Sequence, residues 1–281
     1  MLMDISTVEP VKRTLDSKFK FRCHNDIGCF TKCCSRTSII LTPYDIVRIK
    51  DRLGISSGDF LEKYTYTYID EETSHPYAVL KMMDDNKGEC SFVTPEGCSI
   101  YEDRPSNCRY YPVGQGLMII GSEKGPVNEE FYFFIRDPNC LGYQGDREWT
   151  IESWRIDQGA DLYDEMNKEW KEIQLRRNTS EQSRLDSKKQ AMLYMASYDL
   201  DKFKRFIFES KFLDLLEIDK EEVEKIKIDK IALMKFGFKY LKYILMLEET
   251  LIVKEEYKKG KHPPEAEGLE KISFNRQNRF V

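Results

Sequence analysis

Residues 150 to about 260 contain neither proline nor cysteine. That stretch can have no thiolate metal site and few helix breakers, and its Lys, Glu, Leu, Ile and Phe content predicts helices. Histidine is scarce: only His24, His75 and His262 occur in 281 residues. A Ser-His-Asp or Cys-His hydrolase would have to use one of these, and none carries a supporting motif. His75, before Pro76 in a loop, and His262, in the tail, are expected to be solvated. His24 could take the place of a thiolate beside Cys23. No apolar run approaches the roughly 20 residues of a membrane helix. A net charge of −5 gives no general attraction to nucleic acid or to an anionic membrane. The basic run KKGK at 258–261 is too short to change that reading. MLMDISTVEPVKR at the start lacks an apolar targeting region, so a cytoplasmic location is expected. No G-x-G-x-x-G follows a strand, and GQG at 114–116 reads as a turn. Asp84 and Asp85, in DDNKG, read as a solvated hairpin tip.

Against this scarcity stand eight cysteines, all in the first half. Four lie in CHNDIGCFTKCC: Cys23, Cys29 and the adjacent Cys33 and Cys34. Three more, Cys90, Cys98 and Cys108, lie in CSFVTPEGCSIYEDRPSNCRYYP, and Cys140 follows in DPNCLGYQG. Disulfides persist in oxidising compartments, and nothing in the sequence exports the chain, so metal binding is the expected use of the thiols. All eight are candidate ligands. Arg104 and Arg109 can offset thiolate charge and donate hydrogen bonds to sulfur; the alternative is pairing with Glu102 and Asp103.

The spacing bears on the metal. Structural zinc sites favour C-x2-4-C pairs. Only Cys29 to Cys33 falls in that range, and no C-x2-C occurs. The C-x3-C-x2-C pattern of radical-generating enzymes is also absent, since position 36 is arginine. Adjacent cysteines rarely reach one ion together. Cys33 and Cys34 therefore suit a multi-iron cluster or two neighbouring sites with a common wall. An iron–sulfur cluster of the 4Fe–4S type, or iron, is expected, with zinc the runner-up.

The expected fold is α+β. A loop-rich cysteine-cluster domain at 20–148, with short helices and a small antiparallel sheet, precedes a helical region at 149–258 and a polar tail at 259–281. In LTPYDIVRIKDRLG, Thr42 caps a helix, Pro43 opens it, Asp45 completes a capping box and Gly54 closes it. Ser56 starts a second helix with Asp59 three residues on. Strands are expected at 77–83, 116–121 and 131–136. One long helix is expected from Thr150 to Arg177, with Trp154, Leu162, Met166, Trp170 and Ile173 along its core face. NTSEQS, 178–183, reads as a linker. Further helices are expected near 184–198, 200–214, 219–227 and 229–255.

The cysteine loop, LTPYDIVRI, LGISSGDFL and GCSIYEDRPSNCRYYP resemble the YkgJ-type cysteine-cluster family, a zinc- or iron-chelating domain, over roughly residues 21–145. The helical stretches SYDLDKFKRFIFESKFLD and ALMKFGFKYLKYIL are similar to longer members. The resemblance implies metal binding on Cys29, Cys33, Cys34, Cys90, Cys98 and Cys108. Many members have tighter spacing in the first loop, which sets Cys23 apart, and Cys140 lies outside the core motif. Some relatives are flagellin lysine N-methylases thought to carry an iron–sulfur cluster. Protein methyl transfer is thus one alternative function, and a zinc-stapled interaction module is another. The helical region is a candidate surface for a protein partner.

Overall fold

The computed structural model describes residues 7–121, 127–178 and 184–257. The fold is α+β, with short helices, two-stranded sheets and a helical C-terminal region. The chain divides into two compact units, each built from two stretches: residues 1–41 with 80–166, and 42–79 with 167–281. All eight cysteines belong to the first unit.

In the first unit, Val113–Ile120 and Val127–Phe134 form an antiparallel hairpin in which Val113 faces Phe134 and Gly116 faces Phe131. GQG at 114–116 is therefore strand, not the expected turn. The reason lies across the ladder. A methyl group on Gly114 would come within 2.2 Å of the Phe133 ring, and one on Gly116 within 2.3 Å of Phe131. The aromatic rings occupy the space where glycine has no side chain. A second pair, Lys18–Lys20 with Glu148–Thr150, sets Phe19 opposite Trp149. These strands bury an aromatic core of Phe19, Phe21, Tyr110, Tyr132, Phe134, Trp149 and Trp154. Trp149 and Trp154 meet edge to face at 5.1 Å, and Phe21 meets Trp154 at 5.6 Å. Each such pair is worth about 0.5–1.5 kcal/mol beyond its buried area. Both indoles are satisfied: Trp149 donates to the Phe21 carbonyl and Trp154 to that of Tyr110.

The long helix expected from Thr150 is broken. It runs from Ile151 to Gln158 and restarts as Ala160–Asn178, with Gly159 at φ 63° between them. Glycine takes that left-handed conformation without a Cβ penalty, which ends the first segment. The break rotates the core face. Trp154, Trp170 and Ile173 are buried as expected, but Leu162 is 48% exposed and Tyr163 is buried in its stead.

In the second unit the helix Pro43–Leu53 has the expected capping box. Thr42 accepts from the Asp45 amide at 3.2 Å, and the Asp45 carboxylate accepts from the Thr42 amide at 2.8 Å. Gly54 closes it at φ 64°. Ser56 caps Ser57–Tyr64. Strand Thr65–Ile69 pairs with Pro76–Leu80. Helices Ser187–Tyr198, Leu200–Glu209, Phe212–Leu215, Lys220–Ile228 and Lys230–Ile244 follow. The last is shorter than expected. Gly237 lets it approach Ser187–Tyr198, since a methyl group there would lie 2.6 Å from the Ala196 carbonyl oxygen.

His75 is fully buried, against the expectation of a solvated loop residue. Arg177 donates to its Nδ1 at 2.7 Å, and its ring lies 4.2 Å from that of Tyr77. Burial, then the Arg177 charge, holds its pKa well below the usual value, so the ring is neutral. The linker residues 179–183, His262, KKGK and the tail lie outside the described residues.

Candidate metal centre

Cys33 and Cys34 sit on a single 3-10 turn, Lys32–Cys34. It begins where the Lys32 amide donates to the Cys29 carbonyl at 3.0 Å. The turn is bracketed by left-handed residues, Thr31 at φ 64° and Arg36 at φ 51°. A β-branched residue rarely adopts that conformation, so the turn is held against local preference by its surroundings. Three residues per turn send successive side chains about 120° apart. The two side chains nevertheless hydrogen-bond to each other.

One neighbourhood forms around the turn at 140–142. The Leu141 amide donates to the Cys29 sulfur at 3.2 Å. The Arg22 amide donates to the Gly142 carbonyl at 2.9 Å, which holds the segment leading into Cys23 against the same turn. The charge of a thiolate at Cys33 acts on Cys23 and on Cys140, and so does that of Cys29. The Tyr111 hydroxyl is buried, with no nitrogen or oxygen partner among the described residues, and sits against Cys140. It holds the Cys140 thiol below where burial alone would push it.

The other neighbourhood forms around 88–98. The Cys90 amide donates to the Cys34 carbonyl at 2.7 Å, and the Arg36 amide to that of Gly88 at 2.8 Å. Cys98 stands on the short hairpin Val93–Thr94 with Gly97–Cys98, opposite Val93. Gly97, at φ 124°, makes the turn into it. Cys108 lies on the helix Ser106–Tyr110, tied back by Asn107, which donates to the Ile40 carbonyl at 3.2 Å. Cys34 feels the charges of Cys33, Cys108 and Cys90, and Cys90 that of Cys98.

The protonation states follow from this packing. The Cys34 thiol hydrogen-bonds to Cys33, which lowers Cys33 to about 7 and holds Cys34 far above the usual thiol range. Burial, with the nearby thiolates, pushes Cys23 up to about 11. Burial also raises Cys90, Cys98 and Cys140. A thiophilic cation would reverse these shifts, because coordinated thiols are deprotonated.

The two arginines differ. Arg104 lies within electrostatic reach of Cys98 and Cys108, while donating to the Tyr101 carbonyl and to Gln158. Arg109 directs its donors to the carbonyls of Arg104, Glu102 and Gln158 and to the Tyr163 hydroxyl. Its bond to Gln158 caps the end of helix Ile151–Gln158. His24 is exposed.

Among the described residues there is no disulfide, and no three Cys, His, Asp or Glu side chains already stand as a group able to hold a metal ion. The thiols are gathered but not closed into a coordination sphere. The donor chemistry nonetheless fits a soft or borderline metal: all-sulfur, reduced, and served by the Leu141 amide and the orphaned Tyr111 hydroxyl as sulfur-facing groups. Neither group carried a signal in the sequence, because both act through contacts more than 25 residues away.

Residues 22–141 match the CxxCxxCC family, described as a "Putative zinc- or iron-chelating domain". The matched segment, less than half of the chain, is similar to that cysteine-cluster family. The family name spells C-x2-C-x2-C-C; this chain has C-x5-C-x3-C-C, three and one residues wider in the two gaps. The match ends one residue past Cys140, so all eight cysteines fall within it. No curated protein matches the chain, and no solved structure does. Among the described residues no helix is long and apolar enough to cross a membrane.

Proposed function

We propose that the cysteine-cluster domain, of the YkgJ subtype, holds iron as an iron–sulfur cluster and serves electron transfer, iron handling or sensing. The observation that carries the reading is the gathering of Cys23, Cys29, Cys33, Cys34, Cys90, Cys98, Cys108 and Cys140 in one unit without a disulfide. Four thiolates are the ordinary ligand set of a 4Fe–4S cluster. A vicinal pair of sulfurs on one turn suits a multinuclear group better than a single ion. Bound, the cluster would supply one-electron redox chemistry. The chain supplies the thiolates, the Leu141 and Tyr111 donors, and the Arg104 charge, which offsets part of the anionic charge near Cys98 and Cys108. Reduced thiols in this number suit a reducing compartment, which supports a cytoplasmic location.

Anaerobic purification followed by iron, sulfide and zinc analysis tests the reading. Brown protein with stoichiometric iron and acid-labile sulfide is expected. Colourless protein with zinc and no iron would replace the iron reading with a zinc-stapled module.

A further inference from the structure

We infer that Arg109 is a positioning residue: its guanidinium clamps the backbone between Cys98 and Cys108 to the carbonyl of Gln158 and thereby sets the placement of both thiols. The inference rests on the metal-binding reading above and adds to it a residue that shapes the segment carrying two of the candidate ligands.

The segment needs such a clamp because it has little regular structure of its own. It folds as the 3-10 turn Tyr101–Asp103 and the five-residue helix Ser106–Tyr110, with Pro105 between them. Pro105 has no N–H to give, and elements this short make few internal hydrogen bonds. Arginine side chains supply the missing donors. Arg109 Nε donates to the Arg104 carbonyl at 3.1 Å, and Nη2 to that of Glu102. Arg104 Nη1 donates to the Tyr101 carbonyl at 2.6 Å. The carbonyls of Tyr101, Glu102 and Arg104 are thus held from the side-chain direction.

The other end of the clamp is Gln158. Arg109 Nη1 donates to its main-chain carbonyl at 2.8 Å, and Arg104 Nη2 to its side-chain Oε1 at 2.7 Å. That carbonyl is open to a side-chain donor because the helix ends there, at Gly159 with φ 63°. A methyl group on Gly159 would lie 3.4 Å from Arg109 Nη1. Tyr163, in the next helix, accepts from Nη2 at 3.0 Å, and its ring lies 4.0 Å from the guanidinium. Arg109 is only 6% exposed, so withdrawing its donors leaves buried acceptors unpaired. Lysine carries its donors on one nitrogen and cannot span acceptors that a planar fork reaches together.

Alkylation of the reduced, metal-free full chain, followed at each cysteine by peptide mass spectrometry, tests the clamp. Arg109→Lys should speed alkylation of Cys98 and Cys108 about tenfold and leave Cys23 and Cys29 within about twofold of wild type, because only the clamped segment opens. Tyr163→Phe removes one acceptor and keeps the ring. It should give the same pattern at smaller size, and it serves if Arg109→Lys does not fold. A role confined to general stability would speed all the thiols together. Equal acceleration at all eight, or none at Cys98 and Cys108, would overturn the clamp. Neither result depends on metal, so the metal-binding reading stands or falls separately, on the metal content of the purified protein.

Discussion

Leu141 donates its backbone N–H to the sulfur of Cys29 at 3.2 Å, across 112 residues of sequence. The bond ties the first cysteine loop to the last cysteine of the chain. It makes Cys29, the most buried of the eight, the centre of its group. Hydrogen bonds to ligand sulfur orient the ligand, and losing such outer partners costs about 10–100-fold in metal affinity. Losing the ligand itself should cost more. Cys29→Ser is therefore expected to weaken metal binding by over about 100-fold while keeping the helical far-ultraviolet signal. Chelator competition reads the affinity; a change under about threefold would remove Cys29 from the ligand set.

Gly142 is the second joint. A methyl group there would lie 2.5 Å from the Phe21 ring, which is only 3% exposed and packed against Tyr143 and Trp154. Overpacking of this kind costs about 1–3 kcal/mol. Gly142→Ala should lower the melting temperature and pull Arg22, with Cys23 behind it, away from the 140–142 turn. Reduced metal retention follows. Unchanged melting together with unchanged retention would show that the turn tolerates the displacement.

The second unit carries a pH dependence of its own. His75 is neutral when folded, with its pKa depressed by burial and by Arg177. Unfolded, it titrates near 6.5. The unfolded state thus binds more protons below that pH, and stability rises with pH through the window. The contribution is present above about pH 6.5 and is lost as the solution is acidified, with a limiting slope of about 1.4 kcal/mol per pH unit. Urea unfolding between pH 5 and 8 should show this slope in the wild type. His75→Asn, which keeps an acceptor toward Arg177 but cannot titrate, should flatten it. Equal slopes in both proteins would contradict the assignment.

Metal removal is expected to act on one unit. Binding to thiolates that the unfolded chain does not preorganise supplies folding free energy to the segments that carry them. Chelation should raise hydrogen exchange at 21–36, 88–98 and 140–142, and leave the Ser187–Tyr198 and Lys230–Ile244 helices protected. Uniform loss of protection, or none, would contradict a metal-stapled cysteine domain.

The sequence was most legible where chemistry is local. The Thr42–Asp45 capping box, Pro43 at the first helical position and Gly54 at the end lie within one short stretch and appear as expected. The cysteine-rich segment was legible for the same reason: its phrases occur in order along the chain. Contacts across the chain were not legible. GQG became strand because Phe131 and Phe133 lie opposite it, and His75 became buried because Arg177 reaches it over 102 residues. Gly159 was visible in the sequence, but a helical stripe on both sides of it hid the break. The vicinal pair suggested either one multi-iron cluster or two adjoining sites. Which segments gather around each sulfur depends on the Arg22–Gly142 and Cys34–Cys90 pairings, which no spacing encodes.

The central claim is that the gathered thiolates hold iron, and metal and sulfide content of the anaerobically purified full chain tests it most directly. The account predicts brown protein with stoichiometric iron and labile sulfide, and loss of the colour in Cys33→Ser and Cys34→Ser. Colourless protein that holds zinc and no iron, or that holds neither metal after reconstitution, would contradict it.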